Sequence, residues 1–127
     1  MNNKGQSLIS FVLIVPIILL TLFMVYDIGN MVLLKGQLDN INYLTIDYGL
    51  DKLDDVDLNN KLTEMINKNK DDIDKIEINI NDGEIRILLE DKIENKLSLI
   101  NKFDVLDIKS NYVGYIQDNK KIIRKDK

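Results

Sequence analysis

The chain has no cysteine, no histidine, no tryptophan and a single proline, Pro16. Without cysteine there is no disulfide framework and no thiolate metal site, and without histidine the commonest general base and metal ligand is gone. A glycine-rich phosphate loop is missing too, as is any nucleophile beside a recognisable base. The sequence therefore reads as a non-enzyme with no catalytic, cofactor-binding or metal-binding residues. Aromatic residues make up only 6% and the formal net charge is −4, which argues against nucleic acid as a partner. Nothing points to a small-molecule substrate. At 127 residues there is room for one membrane segment and one small domain.

What is present is a long apolar run. From Leu8 to Tyr26 nineteen residues pass without a charge, and at 1.5 Å per residue they make roughly 28 Å of helix, close to the hydrocarbon thickness of a bilayer. A cleaved secretory signal would have a shorter core and a small-residue cleavage site, whereas Val25, Tyr26 and Asp27 follow here. A buried core helix would need more apolar chain around it than the polar remainder supplies. Lys4 precedes the span and Asp27 follows it, so the amino end is expected in the cytoplasm and the rest outside. Pro16 removes one helix donor and leaves the Val12 carbonyl to be satisfied elsewhere, as at a kink or a packed helix contact.

Beyond the span, Ile28, Met31, Val32, Leu34, Leu38, Ile41 and Leu44 keep helical spacing, which predicts a stem up to about Thr45. It would pack on its own domain or on a partner subunit. An acidic loop follows, with Asp51, Asp54, Asp55 and Asp57. Asp55, Asp57 and Asn59 have the opening spacing of a calcium loop, but Asn60 stands where glycine is needed and Ile66 where the closing glutamate belongs. The alternative is a solvated loop in which Asp57 caps a short helix with Leu58, Leu62, Met65 and Ile66 on one face, ending between Asn67 and Asp71. In KIEININDGEIRILLE, apolar residues alternate on both sides of Asp82-Gly83, the residue pair suited to a two-residue type I′ turn. The hairpin pairs Asn81 with Glu84, Ile80 with Ile85, Ile78 with Ile87 and Ile76 with Leu89, which leaves Glu77, Asn79 and Arg86 on the wet face. Further strands are drawn over residues 97 to 103 and 104 to 116, the latter broken near Ser110 and Asn111, with 112 to 117 the better segment. The last ten residues hold five basic and two acidic side chains, after a body (27 to 117) with eleven basic and nineteen acidic. Such a tail is read as a frayed terminus, or as a contact for anionic lipid or an acidic neighbour.

Lys4, Gly5, Gln6, Ser7, Leu8, Ile9, Ser10, Phe11 and Pro16, followed by Asp27, Ile28, Gly29, Asn30, Gln37 and Leu38, resemble the amino-terminal signature of TadE-like pseudopilins, from the tight-adherence branch of type IV filament systems. The resemblance covers roughly the first forty residues. It implies a leader cut between Gly5 and Gln6 by a prepilin peptidase, with the apolar helix retained on the mature protein. Glycine before the cut lets a protease approach the backbone closely. The family usually has glutamate at the fifth mature position, thought to pair with a neighbouring amino terminus; here that position is Ser10. Serine makes no such ion pair and is far easier to hold in lipid, which favours a minor, priming or tip-like role, or a pilin-like protein that never polymerises.

The expected fold class is α+β: a long amino-terminal transmembrane helix and stem, a short second helix and a small antiparallel sheet. Residues 1–5 are the cytoplasmic leader, 6–47 the span and stem, and 48–127 the extracytoplasmic domain. Implied partners are other pilin-like subunits, a prepilin peptidase and the lipid bilayer, with Ser10, Phe11, Pro16 and Gly29 as assembly contacts. An uncleaved, membrane-anchored binding module is the rival reading.

Overall fold

The structure, a computed structural model, describes residues 3–94 and 105–126. Helix α1 spans Asn3–Leu50 and α2 spans Leu58–Asn69; the strands are β1 (Lys75–Asn81), β2 (Glu84–Glu94), β3 (Val105–Gln117) and β4 (Lys120–Lys125). The fold is α+β as expected. One antiparallel sheet runs in the order β1-β2-β3-β4, with both helices on one face. α1 lies beneath β2, β3 and β4, and α2 beneath β1.

The first hairpin follows its sequence pattern residue by residue: Asn81 opposes Glu84, Ile80 Ile85, Ile78 Ile87 and Ile76 Leu89. Asp82 and Gly83 both have positive φ, 49° and 79°, as a type I′ turn requires. Ile85, Ile87 and Leu89 are fully buried, while Glu77, Asn79 and Arg86 are exposed. The face parity carries on into β3, where Gly114, Tyr112, Ser110 and Ile108 lie opposite the inward residues of β2.

Four local expectations need correction. β3 runs unbroken through Ser110 and Asn111, because Ser110 faces inward and finds polar partners on α1. The basic tail is a strand: Asp118 and Asn119, with φ of 54° and 61°, form a second tight turn, and Lys120–Lys125 pairs with β3. Asp57 stands at the start of α2 but makes no side-chain cap; its Oδ1 accepts instead from Asn60 Nδ2 at 2.7 Å. The stem continues past Thr45 to Leu50, and its buried face differs from the apolar stripe, since Val32 and Leu44 are exposed while Asn42, Thr45 and Gly49 are buried. The strand drawn over residues 97 to 103 lies outside the described residues.

The core is formed by Leu38, Ile41, Ile46 and Leu50 of α1, Leu58, Leu62 and Ile66 of α2, and Ile85, Ile87, Leu89 and Ile108 of the sheet. α2 supplies its one apolar face, as its spacing predicts. The far end of α2 is tied down by an ion pair from Lys70 to the buried Asp91, 2.9 Å. Two helices over four strands thus make a conventional two-layer domain.

Candidate functional site: the long helix and its junction with the domain

The two parts of α1 have different surroundings. Residues 8–26 are apolar on every side, and the most apolar stretch of the helix has none of its residues buried against the chain. Among the described residues there is one helix long and apolar enough to cross a membrane. Within it the helix continues through Pro16. Thr21 Oγ1 donates to the Ile17 carbonyl one turn back at 2.9 Å, the usual way a hydroxyl is satisfied in lipid; among the described residues Ser10 makes no such bond.

The residues singled out by sequence all lie on this helix and all are exposed. A Cβ added at Gly5 or Gly29 meets nothing within 4 Å. Phe11 and Gly29 are eighteen residues apart, five full turns, and so share one side of the helix. Pro16, five residues from Phe11, points about 140° away. Gly5, Gln6, Ser10, Phe11, Pro16 and Gly29 are thus strung along and around a rod and are not brought together as a pocket.

Above the span the same helix becomes the centre of the domain. Lys35 Nζ donates to the Lys109 carbonyl and pairs with Asp39 at 3.2 Å. Ser110 Oγ donates to Asp39 Oδ1 at 2.6 Å. The buried Asn42 donates through Nδ2 to the carbonyls of Ile87 at 2.9 Å and Ser110 at 3.1 Å, leaving its Oδ1 buried without a partner. Ile46 meets Gly114 so closely that an added Cβ would sit 2.2 Å from its Cγ2. Lys121 of β4 reaches back to Asp47 and Asp51, at 3.1 and 2.8 Å. These contacts set helix and strand side by side: eleven residues of α1 from Lys35 to Ile46 rise about 16 Å and five residues of β3 from Lys109 to Gly114 rise the same distance. Helix α1 and strand β3 therefore run in the same direction.

Electrostatics reinforce the junction. The Asp51 and Asp47 carboxylates hold the Lys121 ammonium above the ordinary lysine value. Burial, and after it the charge of Asp39, push the Tyr112 phenol up. In the acidic loop the hydrogen bond from Lys61, followed by that from the Asp57 amide, holds Asp55 below the usual carboxylate range. Among the described residues no three acidic side chains are placed to hold a metal ion. A groove of about 380 Å³, lined by Met31, Val32, Lys35, Asp107, Ile108 and Lys109, opens where the helix enters the domain.

The sequence pattern assigns no role to Asn42 or Lys121 and marks Ser110 only as a strand break. Asn42 sits between Leu38 and Ile46 at helical spacing, and a polar residue in that position is the available signal for a buried tie to the sheet. No family model matches the chain, and neither a curated protein nor a solved structure matches it.

Proposed function

We propose that the chain is a pilin-like structural subunit, of the minor pseudopilin kind, in a tight-adherence or type IV-like filament or secretion system. The observation that supports this reading is the unbroken α1: one helix of 48 residues offers an unburied apolar half and carries a folded domain rigidly on the other half. In this reading the helix first lies in the cell membrane, amino end in the cytoplasm and domain outside. After trimming between Gly5 and Gln6 it enters, or supports, a bundle of similar helices. Helix contacts then replace lipid contacts, so the drive comes from close packing and satisfied polar groups in place of escape from water. Gly29 offers an open backbone for such an approach, and Ser10 lowers the electrostatic demand on the membrane segment.

The amino terminus of the natural product tests this. Mass spectrometry of the membrane-extracted chain is expected to find Gln6 as the first residue, and Gly5→Val is expected to leave Met1 in place. An intact Met1 on the unaltered chain, still in the membrane, would support the uncleaved anchor with a binding domain instead.

A further inference from the structure

Among the described residues the sheet has two open edges, β1 and β4. Unpaired strand edges attract further strands unless charge, proline or a bulge blocks them. β4 carries Lys120, Lys121, Arg124 and Lys125, so a second β4 would meet cation with cation. β1 carries neither proline nor a block of like charge. Lipid is not the complement of the basic edge: Asp47, which binds Lys121, is twenty-one residues beyond Tyr26, about 30 Å along an upright helix and some three Debye lengths from the span.

The arrangement of the edges selects the partner. Resting on the membrane reading above, copies in one bilayer share one orientation, and because β3 runs in the direction of α1 their strands share one direction as well. In an antiparallel sheet of four strands the two edge strands run oppositely. Side-by-side copies in the same orientation therefore bring β1 of one against β4 of the next as an antiparallel pair, with both apolar faces on the same side. A pair of like edges fails either way. A two-fold axis along the membrane normal makes β1 parallel to β1 and turns one apolar face outward, whereas an axis through the sheet points one apolar helix away from the bilayer.

Side-chain parity then restricts the register to steps of two. Ile76, Ile78 and Ile80 of β1 face the helices, as do Lys121, Ile123 and Lys125 of β4, which oppose the inward Ile116, Gly114 and Tyr112. Lys75 and Glu77 face outward, as does Arg124. Placing Glu77 opposite the partner's Arg124 also sets Lys75 opposite the partner's Asp126 and Ile78 opposite the partner's Ile123. A slip of two residues one way opposes Glu77 to Asp126; a slip the other way opposes Lys75 to Arg124. Both set like charges together. Glu77 is 58% exposed along its side chain, and Arg124 is exposed with no ion-pair partner among the described residues. Width agrees too, since four strands span about 19 Å and the two helices beneath them, at about 10 Å each, fill the same width.

We propose that identical chains in one membrane join edge to edge, β1 of each copy running antiparallel to β4 of the next, with Glu77 opposite the partner's Arg124. The test uses the full chain in native membranes, whose lack of cysteine makes engineered disulfides specific. Within one chain β1 and β4 stand three strand widths apart, about 14 Å, too far for a disulfide. Chains carrying Asn79→Cys with Ile122→Cys, or the exposed pair Asn81→Cys with Lys120→Cys, are expected to give a ladder beyond dimers on mild oxidation. The ladder should be severalfold stronger than from Lys75→Cys with Lys120→Cys, a pairing about 20 Å out of register. Glu77→Arg should weaken the ladder severalfold, and adding Arg124→Glu should restore it. A chain held in the membrane that gives no ladder, or equal ladders from all pairs, overturns the edge pairing alone. Dimers from Asn79→Cys by itself as strong as the ladder overturn it in favour of like-edge contact. Recovery of the chain in the aqueous fraction overturns it together with the membrane reading.

Discussion

Gly114→Ala asks whether the stem is truly seated on the sheet. In the folded chain the new methyl would lie 2.2 Å from Ile46 Cγ2, 3.3 Å from Leu50 Cδ1 and 3.4 Å from Ile123 Cγ1. The last two are tolerable, but the first is more than an ångström short of van der Waals contact, and Ile46 is fully buried with nowhere to turn. Overpacking of this kind costs about 1–3 kcal/mol, against which alanine recovers about 0.5–1 kcal/mol of the entropy that a strand glycine gives up. With so short a contact the clash belongs at its upper end, leaving a net loss of about 2 kcal/mol. For a domain of this size that is a fall in Tm of about 8–16 °C. The assay is thermal unfolding of the full chain in detergent micelles, followed by circular dichroism. Ile46→Ala alone should cost about 2–5 kcal/mol by opening a cavity, whereas the double variant should lose less than the two single losses together, because one new methyl occupies part of the space the other vacates. The coupling should exceed about 1 kcal/mol, well above the 0.3–0.5 kcal/mol within which independent sites add. A Gly114→Ala chain as stable as the original, or strict additivity in the double variant, would refute the seating of α1 on β3.

Asn42 supplies the second prediction. Asn42→Ala removes the amide that serves the Ile87 and Ser110 carbonyls and should destabilise by about 1–3 kcal/mol. Asn42→Asp should be worse near neutrality, since it aims a carboxylate at two carbonyl oxygens. Its burial raises its folded-state pKa, so the excess loss should vanish below the ordinary carboxylate value and grow as pH rises; denaturant midpoints at pH 3.5 and 7 check this, and an equal loss at both would contradict it. For Asp55 the sign is opposite. Its folded-state pKa is depressed by Lys61 and the Asp57 amide, so its contribution is present above the unfolded value and lost as pH falls through the lowered one. Asp55→Asn should therefore flatten the acid limb of the stability curve below the ordinary carboxylate range while leaving the alkaline limb unchanged.

The elements most legible from sequence were those where two local signals agreed. Around Asp82-Gly83, strict alternation and a residue pair that accepts positive φ both pointed to one hairpin and one register. β4 lacked that agreement. Its two apolar residues, Ile122 and Ile123, are adjacent and show no period of two, and the surrounding lysines suggested solvent. The one local signal there is Asp118-Asn119, a pair that tolerates the positive φ of the turn, and the reading of the tail from sequence makes no use of it. In the stem the apolar stripe was misleading because the buried face is completed by Asn42, Thr45 and Gly49, whose value lies in contacts with strands far along the chain. Ser110 looks like a break for the same reason: a polar residue in a strand reads as an ending until its partners on α1 are known. The apolar helix needed no tertiary information, since its lack of charge and its length define it.

The division of labour along α1 follows from those same surroundings. A rod that is apolar on every side would sit in lipid equally well at any rotation about its own axis, so on the proposed membrane reading this segment fixes depth and direction but carries little information about which side faces a neighbour. The upper half is different, because Asn42, Ile46 and Asp47 lock it to one face of one sheet. Rotation of the whole molecule is therefore expressed at the sheet's edges and wet face, where Glu77, Arg86 and Arg124 present charge. If copies of the chain associate with a preferred geometry, the selecting contacts belong to the domain, and the membrane helix contributes by forcing every copy to arrive the same way up. Exchanging the span for another uncharged helix of equal length should then preserve the choice of neighbour, whereas exchanging the charges on the two edge strands should alter it.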